Sequence, residues 1–331
     1  MKEIKKEALY YKHHGDDRII CELCPHMCSI SLDELGKCRV RKYEEGKLIT
    51  LNYGKIASYG KDPIEKKPLY HFYPGESIFS IGSFGCNFTC DFCQNYSISQ
   101  EHPSVIDTPA SNIADIALNE KNNIGVAYTY NEPTIWYEFM YDIAKLVHKA
   151  GKKNVIVTNG FINPRPLDAM LPIVDAMNID LKSMNPDFYK SYCGGRLDPV
   201  LETIQRASKK THVELTTLLI EGLNTKVDEI EKLAQWIASI DENIPLHLSR
   251  YFPNYKRQDP ATDVNLILEL STVAKKYLNH VYIGNLWEVD RNTYCPNCNA
   301  ILIDRSTLVK KKLTEEGKCL SCGYQSNIIV K

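Results

Sequence analysis

Much is scarce in this chain of 331 residues, and each scarcity removes a class of protein. Net charge is nearly absent: 40 Lys plus Arg stand against 41 Asp plus Glu. Such balance gives no global attraction to nucleic acid or to an anionic membrane, so any such contact has to be local. No uninterrupted run of about eighteen apolar residues occurs, so no bilayer-spanning helix and no membrane partner are expected. The opening "MKEIKKEALYYKHHGDD" is charged throughout and has no apolar centre, so no secretory signal is read there. A soluble, cytoplasmic protein is the expectation. Internal repeats and low-complexity tracts are also missing, which excludes a repeat architecture. The apolar fraction of 44% is that of a globular chain, long enough for one sizeable domain with small appendages.

Cysteine is plentiful. Eleven of the twelve fall into three tight clusters: Cys21, Cys24, Cys28 and Cys38; Cys86, Cys90 and Cys93; and Cys295, Cys298, Cys319 and Cys322. Disulfide frameworks scatter their partners, because a bridge stabilises by closing a chain loop. Gaps of two and three residues instead aim several thiolates at one point, so these cysteines read as metal ligands.

Between residues 77 and 284 short apolar runs alternate with amphipathic stretches. The expected strands are 77–82, 124–129, 154–158, 176–181, 213–219 and 245–249, with 280–284 as a seventh candidate. They are rich in Val and Ile and lack polar alternation, as strands buried on both faces do. A helix opening at Pro133 and stopping at Gly151 would bury Ile135, Trp136, Phe139, Met140, Ile143 and Val147. Later helices stripe Ile230, Leu233, Trp236, Ile237 and Ile240, then Val264, Ile267, Leu268, Leu270 and Leu278. The fold class is α/β: a partial (β/α)6 parallel-sheet barrel with small Cys-rich metal-binding modules at both ends. Residues 1–72 form an N-terminal four-cysteine segment, 73–288 the barrel, and 289–331 a zinc-ribbon-like module.

In such folds chemistry sits at the carboxyl ends of the strands. Cys86, Cys90 and Cys93 lie just past the first strand. "YTYNEP", "TNG", "DLK" and "HLSR" follow or end later strands and bring Asn131, Glu132, Asn159, Asp180, Lys182 and His247 to the same face. Three thiolates on a 4Fe–4S cube leave one iron open, and an amine with a carboxylate could chelate it. Zinc with His71 or His102 as fourth ligand is the alternative. Asp180 and Lys182 could equally form a structural ion pair, and His247 could be a satisfied core histidine.

C-x3-C-x2-C with Phe92 before the last cysteine, placed after the first strand of a βα series, resembles the radical S-adenosylmethionine superfamily. The resemblance implies a 4Fe–4S cluster on Cys86, Cys90 and Cys93 whose open iron takes the methionine amine and carboxylate. It further implies one-electron cleavage of the cofactor to a 5′-deoxyadenosyl radical that abstracts hydrogen from the substrate. Phe92, Asn131, Glu132, Asn159, Asp180, Lys182 and His247 resemble cofactor-contacting positions, several of them as in glycyl-radical (pyruvate formate-lyase) activating enzymes. The superfamily's paired glycines are replaced by "YNEP". "CELCPHMCSI", "NYGKIASYGKDPIEKKPLYHFYPG", "FGCNFTCDFCQNYSISQ", "CGGRLDPVLETI" and "YCPNC" together are similar to the AmmeMemoRadiSam-system radical SAM enzymes. Members of that family are encoded beside Memo-type and Amme-type proteins, which become candidate partners with a reductant such as ferredoxin or flavodoxin.

Cys295-x2-Cys298, twenty residues, then Cys319-x2-Cys322 is the spacing of a four-thiolate zinc ribbon. The first cluster is also a full set, for zinc or for a second 4Fe–4S cluster, with His26 as an outer hydrogen-bond partner. Cys193 stands alone, either a buried small hydrophobe or a thiol near the mouth that donates hydrogen or holds substrate. Metal modules at both ends suggest a protein or other macromolecular substrate. RNA or a small molecule modified by the same chemistry, and a non-catalytic zinc-binding adaptor, are the alternatives.

Overall fold

The computed structural model describes residues 5–15 and 17–331; residues 1–4 and 16 of the charged opening stretch lie outside the described residues. Its centre is an eight-stranded sheet whose strands lie side by side in chain order. These are β1 (Ser58–Pro63), β2 (Ser77–Gly82), β3 (Asn123–Tyr128), β4 (Lys153–Thr158), β5 (Ala176–Asp180), β6 (His212–Leu219), β7 (Leu246–Arg250) and β8 (Val281–Gly284). From β2 to β8 every neighbouring pair is parallel. All seven sequence-predicted strands are therefore present, each within a residue or so of its expected bounds. Strand β1 is the addition, antiparallel to β2 along six residue pairs. It comes from the 1–72 segment, so the sheet reaches across the boundary drawn there from sequence. "SYGKDP" carries a glycine, a proline and charges, and only an edge strand tolerates those.

Helices α1 (Ala110–Asn119), α2 (Tyr137–Lys149), α3 (Asp198–Ala207), α4 (Val227–Ala238) and α5 (Val264–Ala274) lie in the crossovers. A single 3-10 turn, Pro133–Trp136, leads into α2. Glu132 caps that turn by accepting the backbone N–H of Thr134, and Pro133 needs no partner for an N–H it lacks. The six apolar residues expected to face inward here are all buried. On α5 the stripe is narrower than expected, because Ile267 and Leu270 are buried while Leu268 is 42% exposed. Adjacent positions diverge by about 100° around a helix, so they cannot both face the sheet.

The sheet is curled. Laid flat, strands at about 4.8 Å spacing would put β2 and β8 roughly 29 Å apart. Instead the loops after β2 and β8 line one cavity. Strands β2 and β8 do not pair, so the barrel stays open.

The appended modules occupy opposite ends. Two three-stranded antiparallel sheets are built from Lys6–Glu7, Arg41–Glu44 and Lys47–Thr50, and from Tyr11–His13, Arg18–Cys21 and Ser29–Ser31. They lean on α2 through a fully buried Arg41–Glu138 pair at 2.5 Å, and on the loops at the carboxyl ends of the strands. The C-terminal module, with strands Thr293–Tyr294, Ile301–Asp304 and Lys310–Lys311, closes the other end. Ile329 N–H donates to His71 O at 2.7 Å, Asn327 Nδ2 to Asn243 O at 2.6 Å, and Arg305 Nη2 to Tyr70 O at 2.6 Å. These acceptors precede β2 and β7, so the module underlies the amino-terminal ends. It does not border the cavity mouth, where a substrate-docking module would have to lie.

Candidate active site

A cavity of about 330 Å³ opens at the carboxyl ends of the strands. Cys86, Cys90, Cys93, Phe92, Asn131, Glu132, Asn159, Asp180 and Lys182 all line it. His247 does not. It lies two residues below Ser249 on the same face of β7, and it is Ser249 that reaches the cavity. His247 Nε2 meets Glu214 Oε2 at 2.7 Å, deeper in the barrel, and its ring stacks on Tyr282. Glu214 also accepts the backbone N–H groups of Tyr70 and His71. Burial alone would raise the Glu214 carboxyl, but the hydrogen bonds and charges of His212 and His247 hold it well below the usual carboxylate range. This layer is the cavity floor.

Each thiol of the loop has its own hydrogen-bond donor. Phe88 N–H lies 3.3 Å from Cys86 Sγ and Asn159 Nδ2 lies 3.8 Å from it. Ser99 Oγ is 3.1 Å from Cys93 Sγ. Cys193 donates to Cys90, and with the positive charge of Lys182 this outweighs burial and draws the Cys90 thiol below its ordinary value. Burial pushes Cys86 and Cys93 up instead. Cys193 itself is fully buried and does not line the cavity, so it has no route to donate hydrogen to a substrate. Its sequence signal was the following "GG": a Cβ on Gly194 would sit 2.6 Å from Thr89 Oγ1, and one on Gly195 would sit 2.2 Å from Phe88 Cε1. Only glycines let this strip pack against the cysteine loop.

Asn131 and Glu132, which line the cavity, also make hydrogen bonds within its wall. The Asn131 amide accepts from Ser83 N–H at 3.0 Å and donates to Gly85 O at 3.0 Å, fixing the approach to Cys86. Glu132 Oε1 accepts from Thr134 N–H, Thr134 Oγ1 and Thr158 Oγ1, and Oε2 accepts the Asn159 N–H. Burial raises its carboxyl, although all four hydrogen bonds favour the charged form. Asn159 Nδ2 then bonds Asn87 Oδ1 at 2.8 Å. Asp180 and Lys182 form an ion pair at 2.8 Å on the cavity wall, with the carboxylate about one-third exposed. Burial opposes the charge on Lys182, yet Asp180 and the neighbouring Cys90 and Cys193 keep it firmly protonated.

Which residues could hold metal divides by spacing. Around one zinc with Zn–S bonds of about 2.3 Å, tetrahedral sulfurs lie about 3.8 Å apart. Cys295–Cys322 and Cys298–Cys319 are both separated by 3.7 Å, and the four sulfurs crowd together tightly enough for one ion. Among the described residues no other set does so. Among the described residues no His, Asp or Glu joins Cys86, Cys90 and Cys93 in such a group, and His71 sits at the opposite end of the barrel, bonded to Asn327 and Tyr282. Among the described residues neither His71 nor His102 stands in a metal-holding group with these three cysteines. Three hydrogen-bonded thiols on one cavity wall, whose sulfurs do not all lie within 4.8 Å of one another, are a donor set that suits a polynuclear cluster.

Residues 80–237 match the Radical SAM superfamily. The chain is 40% identical to an uncharacterized protein of Methanocaldococcus jannaschii over 98% of its own length and all of that protein's. A second protein of that organism, named as a glycyl-radical enzyme activating enzyme, is 29% identical over 60% of this chain and 77% of its own. Among solved structures, Streptococcus suis SuiB bound to the precursor peptide SuiA superposes with a TM-score of 0.51 at 13% identity, covering 68% of this chain and 52% of SuiB. That last likeness speaks for the α/β fold. The chain carries a radical SAM superfamily domain, and it is an enzyme of radical chemistry. The adaptor alternative is set aside. No helix among the described residues is long and apolar enough to cross a membrane.

Proposed function

We propose that this enzyme is of the glycyl-radical-activating type, taking hydrogen from a protein or other macromolecule. The observation that carries the reading is the set of three thiols, each with its own donor, sharing one cavity with the Asp180–Lys182 pair. Cys86, Cys90 and Cys93 would hold the 4Fe–4S cluster. When bound, cluster and S-adenosylmethionine together supply a 5′-deoxyadenosyl radical, after one electron has entered from a ferredoxin or flavodoxin. The chain's own residues do the positioning. Lys182 offers an ammonium to the cofactor carboxylate, and Asp180 offers its exposed oxygen to the cofactor amine. Asn131, Glu132 and Asn159 hold the loop and the ends of β3 and β4 in register, while the Glu214–His247 layer closes the cavity below against water.

Size argues for a large substrate. About 330 Å³ is near the lower bound of ligand pockets, so the cofactor alone would fill most of it. The substrate then has to present one residue at the mouth. Phe252 and Trp287, on the loops after β7 and β8, are 43% and 84% exposed there. The motifs shared with the AmmeMemoRadiSam system make Memo-type and Amme-type proteins the candidate partners, and Cys295, Cys298, Cys319 and Cys322 the site of a zinc ion. Anaerobic protein reconstituted with iron and sulfide, then given dithionite and S-adenosylmethionine, is expected to release 5′-deoxyadenosine. Deuterium should pass into it from a labelled protein substrate; transfer from RNA or a small molecule would instead overturn the macromolecular-protein reading.

A further inference from the structure

Four thiols that the cavity does not use stand directly behind its cysteine loop. Cys21, Cys24 and Cys38 are buried within the main core, and Cys28 is half-buried at the surface. The surroundings are those of a bound anion. Lys37 N–H lies 3.5 Å from Cys28 Sγ, and the buried guanidinium of Arg41 points Nη1 at Cys21 Sγ, 3.9 Å away, while its Nε has no partner. Yet these four sulfurs do not crowd as the ribbon's do. Chelation of one zinc needs edges of about 3.8 Å, whereas a cubane cluster holds its four thiolates farther apart.

The wall between the two cysteine sets is one residue thick. A Cβ on Gly85, the residue before Cys86, would lie 2.9 Å from Cys38 O and 2.6 Å from Val40 Cγ1. His26, between Cys24 and Cys28, contacts Asn87 O at 2.7 Å through Nε2. Arg39, next to Cys38, donates to Ser99 O at 2.6 Å, and the Ser99 hydroxyl is the partner of Cys93. Three separate contacts thus join the segment carrying Cys24, Cys28 and Cys38 to the loop carrying Cys86 and Cys93.

We propose that Cys21, Cys24, Cys28 and Cys38 hold a second, fully thiolate-ligated 4Fe–4S cluster that relays electrons to the cluster on Cys86, Cys90 and Cys93. The relay rests on the reading of the active site given above; the second cluster does not. One electron leaves a reduced carrier of the ferredoxin or flavodoxin class, enters at the half-buried Cys28 side, and passes across the Cys38–Gly85 contact. The carrier is oxidised by one electron and the cavity-side cluster is reduced by one, with no bond or proton changed. With four thiolates in place the relay site has no open corner, so it carries electrons and binds no cofactor.

Three full-length proteins, reconstituted anaerobically, test this: wild type, the Cys24→Ser/Cys38→Ser variant, and the Cys86→Ser/Cys90→Ser/Cys93→Ser variant. Iron contents of about eight, four and four per chain are expected, with cubane Mössbauer spectra in both variants. A triple variant that lacks iron and holds an extra zinc overturns the second cluster. A triple variant with as much iron as wild type leaves that cluster standing and sinks the reading of the cavity-side cysteines instead. For the relay, the N-terminal cluster's electron paramagnetic resonance signal should broaden and relax faster in reduced wild type than in the triple variant; identical spectra overturn it. With a reduced flavodoxin as donor, the double variant should lose roughly tenfold more 5′-deoxyadenosine formation than it loses with dithionite, and equal losses overturn the relay.

Discussion

Glu132 Oε2 accepts the backbone N–H of Asn159 at 2.8 Å, and with the Thr158 hydroxyl bonded to Oε1 it ties the end of β3 to the end of β4 near Cys86. Glu132→Gln places an NH2 group among donors, leaving at least one of them unpaired. A loss of about 1–3 kcal/mol is expected by urea unfolding. Reconstituted iron should fall too, since Asn159 loses its anchor; unchanged stability and iron would show the bond to be incidental.

Gly195→Ala is expected to abolish cluster assembly on the cavity side. Its Cβ would lie 2.2 Å from Phe88 Cε1, and the backbone of Phe88 bonds Cys86. Gly46→Ala, where a Cβ meets nothing within 4 Å, is the control for backbone strain because its φ is +77°. Iron analysis of the two variants separates steric pressure on the loop from strain alone.

Stability should rise with pH between about 4 and 6.5. Burial holds His280 down to about 4 in the fold, against about 6.5 for an unfolded imidazole. Between those values the unfolded chain binds a proton that the native chain does not, so lowering pH favours unfolding. Over about 2.5 units this amounts to about 3 kcal/mol. His71, its ring centroid 4.4 Å away, is also held well below its usual value by burial and adds in the same direction. Glu214 contributes above the usual carboxylate range and is lost only on further acidification. Urea midpoints of His280→Asn should show a flatter profile from pH 6.5 to 4; an unchanged slope would exclude the assignment.

Chelating the zinc proposed for the C-terminal four-cysteine site should lower the melting temperature of the whole protein. Thr293 and Arg305 bind Tyr282 and Tyr70 at the barrel floor, so the ribbon and the core share a polar network. Cys298→Ser is expected to lose about one zinc per chain and to melt earlier in calorimetry. A ribbon that unfolds while the core transition stays in place would contradict the coupling.

The seven parallel strands were legible because both their faces are buried, which leaves uninterrupted runs such as "SIFSIG" and "NVIVT". Strand β1 was hidden by its own edge position, since an edge strand can carry Gly60 and Pro63. Loop residues were legible through their place after each strand, whereas depth along a strand was not. His247 and Ser249 share a face of β7, and nothing in a period of two says which one meets the cavity. Nor could spacing tell which end of the barrel each cysteine module covers, because that depends on contacts such as His26 with Asn87 and Asn327 with His71.

The central claim is that three cysteines leave one corner of a cluster open to S-adenosylmethionine. Its most direct test is electron paramagnetic resonance of the dithionite-reduced Cys24→Ser/Cys38→Ser protein, recorded before and after adding the cofactor. A signal that changes shape on addition, and that vanishes when Cys90 is also replaced, is the expected result. A spectrum indifferent to the cofactor, or no cluster signal at all, would contradict it.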